Sequence, residues 1–224
     1  MEINDLKFMA SLKIARADAL IVVDMQNDFM PGGALAVPDG DTIIAGVNQM
    51  MQLFGGADLP VVMTQDWHPK GHHSFASAHE GLHPYDLFES AGIGPVLWPD
   101  HCIQGTRGAE FHRDMKTDYA HAVIRKGYHT AVDSYSAFVE NDKITETGLT
   151  GFLKGKGVRR VFLCGLALDY CVFFSAADAS DKGFEVYCIV DLAKPVASPE
   201  GSVADALKTM QQKGVSFIES SAVK

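Results

Sequence analysis

Cys171 stands where a cysteine could act as a nucleophile. It ends the run RRVFLCGLALDYC and opens the segment CVFFSAADASDKG, which is predicted to be helical. A thiol at a helix N-terminus lies near the positive end of the helix dipole, which favours the reactive thiolate. The alternative is a buried, unreactive packing cysteine, and this is the role that we expect for Cys164 and Cys188 within predicted strands.

Two charged residues follow other apolar runs and could assist this thiol. The run LIVVD ends in Asp24, and the run AVIRK ends in Lys126. A carboxylate can accept the thiol proton and then deliver it to a leaving group, so one residue can act as base and acid in turn. A nearby lysine would favour the thiolate and hold Asp24 electrostatically. Alone, Asp24 would be interpreted as a turn or cap residue and Lys126 as a solvated surface lysine.

Asp66 and His68 are spaced as a possible metal-binding pair. Alternate side chains of an extended segment point to the same side, so both residues could bind one ion. Mixed carboxylate and imidazole ligands suit zinc, iron or manganese rather than calcium or magnesium. Spacing does not choose a third ligand. The candidates are His72, His73, His79, His83 and His101.

Six apolar runs predict the strands that would position these residues. Most are too continuously apolar to be half-exposed, which is typical of a parallel sheet covered on both faces. Helix-like segments at 42–54, behind Asp41 as N-cap, and at 199–213, behind Ser198 as N-cap, indicate alternation of strands and helices. We therefore expect a three-layer α/β/α fold with a mostly parallel six-stranded sheet and a site beyond the carboxyl ends of its strands. The predicted strands are 19–23, 61–64, 122–125, 160–164, 185–190 and 215–218.

The chain is expected to form one domain. Its 224 residues, of which 47% are hydrophobic, can bury a full core. Residues 1–15 are predicted to be an N-terminal extension to a single domain at 16–224. Residues 66–117 have no strong periodicity and are rich in histidine, and long loops inside compact domains are usually functional. We interpret this stretch as a metal-binding loop excursion.

Charge and hydropathy limit the class of partner. The net charge of −9 argues against nucleic acid, because binding to phosphates needs clustered Lys and Arg. No apolar stretch approaches the roughly 18 residues that span a bilayer, and the first residues lack the pattern of a secretory signal. We expect a cytoplasmic protein that acts on a small molecule, with no nucleic-acid or membrane partner.

Five motifs resemble the nicotinamidase (pyrazinamidase) branch of the isochorismatase-like cysteine hydrolases, over nearly the whole chain from about Asp18. The resemblance implies hydrolysis of nicotinamide, and of pyrazinamide, to the acid and ammonia through a thioester on Cys171, in NAD salvage. The family's catalytic triad falls on Asp24, Lys126 and Cys171. The motifs are VVDMQNDFMPGGALAV at 22–37, DWHPKGHHSFAS at 66–77, LWPDHCIQGTRGAEFH at 97–112, KGYHTAVDSYSAF at 126–138 and CGLALDYCV at 164–172.

The same resemblance implies a metal site. The family's metal ligands fall on Asp66, His68 and His101, and His72 matches a further histidine ligand of some members. The implied cofactor is one divalent ion, with zinc preferred and iron or manganese as alternatives.

The resemblance also implies how the substrate is surrounded. A non-proline cis peptide between Leu166 and Ala167 would aim the backbone N–H groups of Ala167 and Cys171 at the amide oxygen as an oxyanion hole. Phe29, Trp98 and Tyr135 match aromatic positions that line the family's pocket.

Two alternatives stay open. The first is another hydrolase of the superfamily, such as an N-carbamoyl amide hydrolase, which would not need Asp66, His68 and His101 together; an isochorismatase uses no thiol nucleophile. The second is a non-enzymatic metal-binding or thiol-redox protein, which would leave Asp24 and Lys126 unexplained.

Overall fold

The computed structural model describes residues 2–224 and contains a seven-stranded sheet in which every neighbouring pair is parallel. The strand order is β1-β7-β6-β5-β2-β3-β4. The predicted α/β fold with a parallel sheet and flanking helices is confirmed, and all six predicted strands are present. The strands are β1 (Phe8–Met9), β2 (Asp18–Val23), β3 (Val61–Asp66), β4 (Ala122–Lys126), β5 (Arg160–Leu166), β6 (Glu185–Lys194) and β7 (Ser216–Ile218).

The sheet has seven strands rather than the predicted six because a short strand lies within the predicted extension. Phe8 and Met9 of β1 pair with Phe217 and Ile218 of β7. Two half-buried residues carry no periodicity that a sequence pattern could reveal. The division into an extension and one domain stays a prediction.

Four α-helices connect and cover the strands. The two predicted helices occur as α1 and α4, but their predicted N-caps are wrong. Asp41 lies inside a 3-10 turn, Gly40–Ile43, that precedes α1. Ser198 lies four residues before the start of α4, and Gly201 in a left-handed conformation is the residue that precedes this helix. The helices are α1 (Ile44–Gly56), α2 (Leu149–Gly155), α3 (Phe173–Asp181) and α4 (Ser202–Gln212). Within residues 2–224, no helix has the length and apolar character needed to span a membrane.

The central strands are the interior of the molecule. Every residue of β2 and of β3 is buried, which is the pattern of strands covered on both faces. Side chains at their carboxyl ends are therefore held by a rigid scaffold.

The excursion between β3 and β4 has only short 3-10 turns but is tied to the rest of the fold. Single β-bridges join His68 to Ile103 and Phe75 to Trp98. The backbone N–H of His68 donates to Cys102 O at 3.0 Å, and that of Gln104 donates to His68 O at 2.9 Å. The loop therefore folds back so that its two histidine-bearing segments lie side by side.

Candidate active site

Four candidate site residues come from the carboxyl ends of four adjacent strands. Asp24 follows β2, Asp66 ends β3, Lys126 ends β4, and Cys171 follows β5 after a short turn. Asp66 and Lys126 are direct register partners. Because β5, β2, β3 and β4 are neighbours in that order, their ends meet at one edge of the sheet.

Lys126 is the centre of this cluster. Its Nζ lies 2.8 Å from Asp24 Oδ2 and 3.3 Å from Cys171 Sγ, and it also pairs with Asp66 Oδ1. It donates a further hydrogen bond to Ser134 O at 3.0 Å. The lysine is fully buried, so it is a partnered internal charge and not a solvated surface residue. The structure thus brings together the three residues of the predicted triad.

Burial and charge set the protonation of the cluster. Burial alone would lower the pKa of Lys126, but Asp24 and Asp66 raise it well above its ordinary value, so the ammonium is retained. Burial raises the pKa of the Cys171 thiol well above its ordinary value; Lys126 opposes this increase, and the negative charge of Asp24 adds to it. The resting cysteine is therefore a thiol, and a base has to remove its proton.

Asp24 is the candidate for that base. The Thr64 hydroxyl donates to Asp24 Oδ1 at 2.6 Å and accepts the Asp24 backbone N–H at 3.2 Å. Oδ2 lies 2.8 Å from Lys126 Nζ and forms a fully buried ion pair with it. Burial raises the pKa of Asp24, and Lys126 counteracts that effect. Thr64 and Lys126 thus hold the two oxygens of Asp24, and one of these oxygens lies within 4.8 Å of Cys171 Sγ.

Asp66, His68 and His101 form a buried triangle that could hold a divalent metal. Their potential ligand atoms lie within 4.8 Å of one another, and Asp66 Oδ2 is 3.6 Å from His68 Nε2 and 3.7 Å from His101 Nε2. Burial alone would raise the pKa of Asp66, but Lys126 and His68 hold it well below its usual range.

The second nitrogen of each imidazole shows that the donor set fits a metal. His68 Nδ1 lies 2.7 Å from Gly127 O, and His101 Nδ1 lies 2.8 Å from Pro99 O. A carbonyl oxygen can accept a hydrogen bond but cannot donate one, so each Nδ1 carries the hydrogen. Each Nε2 then presents a lone pair in the neutral ring. This is the usual arrangement of metal-ligating histidines.

His72 lies next to this triangle but has other partners. Its Nδ1 is 2.7 Å from Ser74 Oγ, and its Nε2 is 2.9 Å from His129 O. Burial lowers its pKa to about 4, and the proximity of His68 contributes. Both nitrogens are therefore engaged, and a role for His72 as a metal ligand stays a prediction.

A small pocket connects the triangle to Cys171. Its walls include Asp66, His68, His101 and Cys171, together with Ala167. The three predicted aromatic residues, Phe29, Trp98 and Tyr135, also line it. Aromatic and apolar side chains make up most of the lining, which suits an aromatic ring.

Hydrogen bonds fix the aromatic wall. Trp98 Nε1 donates to the Tyr135 hydroxyl at 3.0 Å, and this hydroxyl donates to Gly94 O at 2.9 Å. Trp98 packs edge-on against Tyr170, with ring centroids 4.8 Å apart.

The turn that carries Cys171 follows β5 directly. The Leu166–Ala167 peptide is cis, as the resemblance implies. Leu168–Val172 forms a single π-helical turn, and α3 continues from it. Cys171 is thus in the turn that opens a helix, as expected from its sequence context.

Several residues of the site were not identified from the sequence. Thr64 and Gln26 act through hydrogen bonds to residues 40 positions away. Asp133 and Tyr170 line the pocket, and their positions within the motifs around Tyr135 and Cys171 were a signal that could have identified them. Leu35 and Val196 are apolar pocket residues. Leu35 lies within the motif at 22–37, whereas nothing in the sequence distinguishes Val196 from a core residue.

The fold and the buried thiol cluster define a cysteine hydrolase type of site, and comparison with known proteins gives the family. The model of the Isochorismatase domain matches residues 18–222, and the chain belongs to this family. The nicotinamidase of Acinetobacter baylyi is 45% identical over 214 residues, which cover 95% of this chain and 98% of that protein.

Two solved structures extend the comparison. A nicotinamidase/pyrazinamidase of Acinetobacter baumanii matches with a TM-score of 0.88 and 49% identity, covering 92% of this chain and 98% of the other. A pyrazinamidase of Pyrococcus horikoshii in complex with zinc matches with a TM-score of 0.74 and 41% identity, covering 91% of this chain and 99% of the other. The resemblance inferred from the five motifs is confirmed.

Proposed function

We propose that this protein hydrolyses nicotinamide, and also pyrazinamide, to the corresponding acid and ammonia through a thioester on Cys171. One observation carries the proposal. Cys171 lines a pocket with aromatic walls, Lys126 contacts its sulfur and pairs with Asp24, and the triangle of Asp66, His68 and His101 lines the same pocket. The similarity to nicotinamidases along nearly the whole chain supports the same reaction.

The substrate is oriented by the two ends of the pocket. The aromatic ring lies among Phe29, Trp98 and Tyr135, and the carboxamide carbon faces Cys171. Such positioning converts the attack into an intramolecular step. A divalent ion held by Asp66, His68 and His101 would bind the pyridine nitrogen and so fix the direction of the ring. We propose zinc, with iron or manganese as alternatives, because the donors are one carboxylate and two imidazoles and a related pyrazinamidase was solved with zinc.

Asp24 moves the proton in both halves of the reaction. It accepts the Cys171 proton as Sγ attacks the carboxamide carbon, and it returns that proton to the nitrogen as the C–N bond breaks and ammonia leaves. A water molecule, deprotonated by Asp24, then attacks the thioester and releases the acid and the thiol. We assign the backbone N–H groups of Ala167 and Cys171 to the oxyanion. Lys126 stays protonated and balances the negative charges throughout.

The assignment has a biological setting that the sequence already suggested. Nicotinate formed by this reaction would enter NAD salvage. We propose that the protein is cytoplasmic and has no nucleic-acid or membrane partner.

Ammonia release by the purified protein tests the proposal. We expect release from nicotinamide, with little from an N-carbamoyl amino acid or from ureidoacrylate. Cys171→Ala should release none, whereas Cys164→Ala, which changes a fully buried cysteine in β5, should retain turnover. Preference for the carbamoyl compound would favour an N-carbamoyl amide hydrolase, and no release from any of them would favour a non-enzymatic protein.

A further inference from the structure

Gln26 is a fully buried side chain that the proposed reaction does not use. Its Oε1 accepts the backbone N–H of Asp66 at 2.8 Å, and its Nε2 donates to the backbone oxygen of Asp66 at 2.8 Å. The second hydrogen of Nε2 goes to Ala109 O at 3.0 Å. One amide thus pairs with both backbone groups of a candidate metal ligand and has both of its own hydrogens satisfied.

The backbone of Asp66 needs this partner because the pairing between β2 and β3 ends before it reaches Asp66. β2 and β3 pair from Leu20 and Val61 as far as Val22 and Met63. At Asp24 the chain leaves the sheet through a left-handed conformation with φ of 48°. Buried backbone N–H and C=O groups require hydrogen-bond partners. The Gln26 side chain supplies them where the strand no longer does.

The position of Asp66 controls both halves of the site. Its Oδ1 pairs with Lys126, and its Oδ2 lies 3.6 and 3.7 Å from the Nε2 atoms of His68 and His101. A shift or rotation of the Asp66 backbone would move both oxygens away from these partners.

We propose that Gln26 is a positioning residue that holds the Asp66 backbone so that its carboxylate faces the two imidazoles and Lys126 at once. This inference rests on the proposed metal site. Groups that orient metal ligands typically change metal affinity by about 10- to 100-fold when they are lost.

Gln65 offers a matched control. It is also buried, and its Nε2 donates to the same Ala109 oxygen at 2.9 Å, while its Oε1 accepts from Arg125 Nε at 3.1 Å. It makes no side-chain hydrogen bond to Asp66 among the described residues. Gln65→Met and Gln26→Met therefore each remove a bond to Ala109, and only Gln26→Met also removes the bonds to Asp66.

The test measures the zinc dissociation constant by competition with a chelator, and the alkylation rate of Cys171, in the parent and both variants. We expect zinc binding to weaken about 10- to 100-fold in Gln26→Met and to change little in Gln65→Met. The alkylation rate of Cys171 reports on the other half of the site: it should differ from the parent rate in Gln26→Met, where Asp66 shifts relative to Lys126 and Cys171, and stay near the parent rate in Gln65→Met. Unchanged zinc affinity in Gln26→Met, or equal loss in both variants, would overturn the proposal.

A second substitution covers the case in which Gln26→Met does not fold. Gln26→Glu keeps the volume and the acceptor for the Asp66 N–H but has no N–H to donate to the Asp66 oxygen. It should weaken zinc binding where Gln65→Glu does not, and equal affinities in these two variants would overturn the proposal. Both measurements are made without nicotinamide, so failure of the proposed reaction would appear separately as absent ammonia release from a protein that still binds zinc. A parent protein that binds no zinc would overturn the positioning role together with the metal site.

Discussion

Replacing Asp24 with asparagine should abolish its proton transfer while preserving its shape. The amide can still accept the Thr64 hydroxyl, which now lies 2.6 Å from Oδ1, but it can neither take the Cys171 proton nor return it to ammonia. General acid and base catalysis contributes roughly 10²- to 10⁴-fold in rate, which corresponds to about 3 to 5 kcal/mol of transition-state free energy. We therefore expect kcat for nicotinamide to decrease by about 10²- to 10⁴-fold. KM should change little, because Asp24 does not line the pocket.

The same substitution should make the resting thiol more reactive. Burial raises the pKa of Cys171, and the charge of Asp24 raises it further, whereas Lys126 lowers it. Removing the charge of Asp24 leaves Lys126 acting on the sulfur, so the pKa should fall and the thiolate fraction at neutral pH should rise. Turnover and alkylation should therefore change in opposite directions.

Two assays on one preparation decide this prediction. Ammonia release measures turnover, and the rate of labelling by iodoacetamide across a pH series locates the midpoint of the thiol. Labelling of Cys171→Ala gives the background from Cys102, Cys164 and Cys188, which are buried. If labelling slowed together with turnover, Asp24 would be needed to form the thiolate at rest, and the expected decrease in the Cys171 pKa would be wrong. Parent-like turnover would remove Asp24 from the mechanism.

Three further outcomes follow from the same geometry. Cys171→Ala should abolish turnover with an unchanged circular dichroism spectrum and thermal midpoint, since alanine fits a helical turn; turnover near the parent rate would exclude the covalent mechanism. Lys126→Met should raise the Cys171 pKa, because the ammonium 3.3 Å from the sulfur lowers it. An unshifted midpoint of alkylation in a folded Lys126→Met variant would contradict that role. Removing the metal with a chelator should weaken binding and turnover of nicotinamide but should hardly affect the poor turnover of benzamide, which has no ring nitrogen. Equal losses for the two amides would mean that the ion does not position the ring.

The strand ends were predictable because their signal is local. Apolar runs closed by Asp24 and Asp66 indicated buried strands, which β2 and β3 are, whereas β4, closed by Lys126, is a half-exposed edge strand. Parallel strands place their carboxyl ends at one edge of the sheet. The six predicted strands and the meeting of these residues with Cys171 follow from that rule. The two-residue strand β1 could not be predicted from that rule, because its pairing with β7 depends on a segment more than 200 residues away.

The third metal ligand could not be chosen from spacing. Five histidines were equally available in the sequence, and the family motif, not the spacing, selected His101. The loop brings His101 beside Asp66 because His68 pairs with Ile103 across a β-bridge. Such a closure depends on the path of the whole excursion, which has no periodicity that a pattern could detect.

Residue type and local pattern indicated the class of fold, Cys171 as a candidate nucleophile, and Asp24 and Lys126 as candidate partners, and the family motifs selected among the alternatives. The tertiary structure decided which atoms of those groups meet: Thr64 on one oxygen of Asp24, Gln26 on the backbone of Asp66, and carbonyl acceptors behind His68 and His101. Apart from the local contact of His101 with Pro99, these contacts join residues that are 40 to 59 positions apart in the chain. A sequence pattern records which faces are buried but not which distant atoms lie opposite each other. The protonation states depend on the same contacts, because burial and the neighbouring charges set them together.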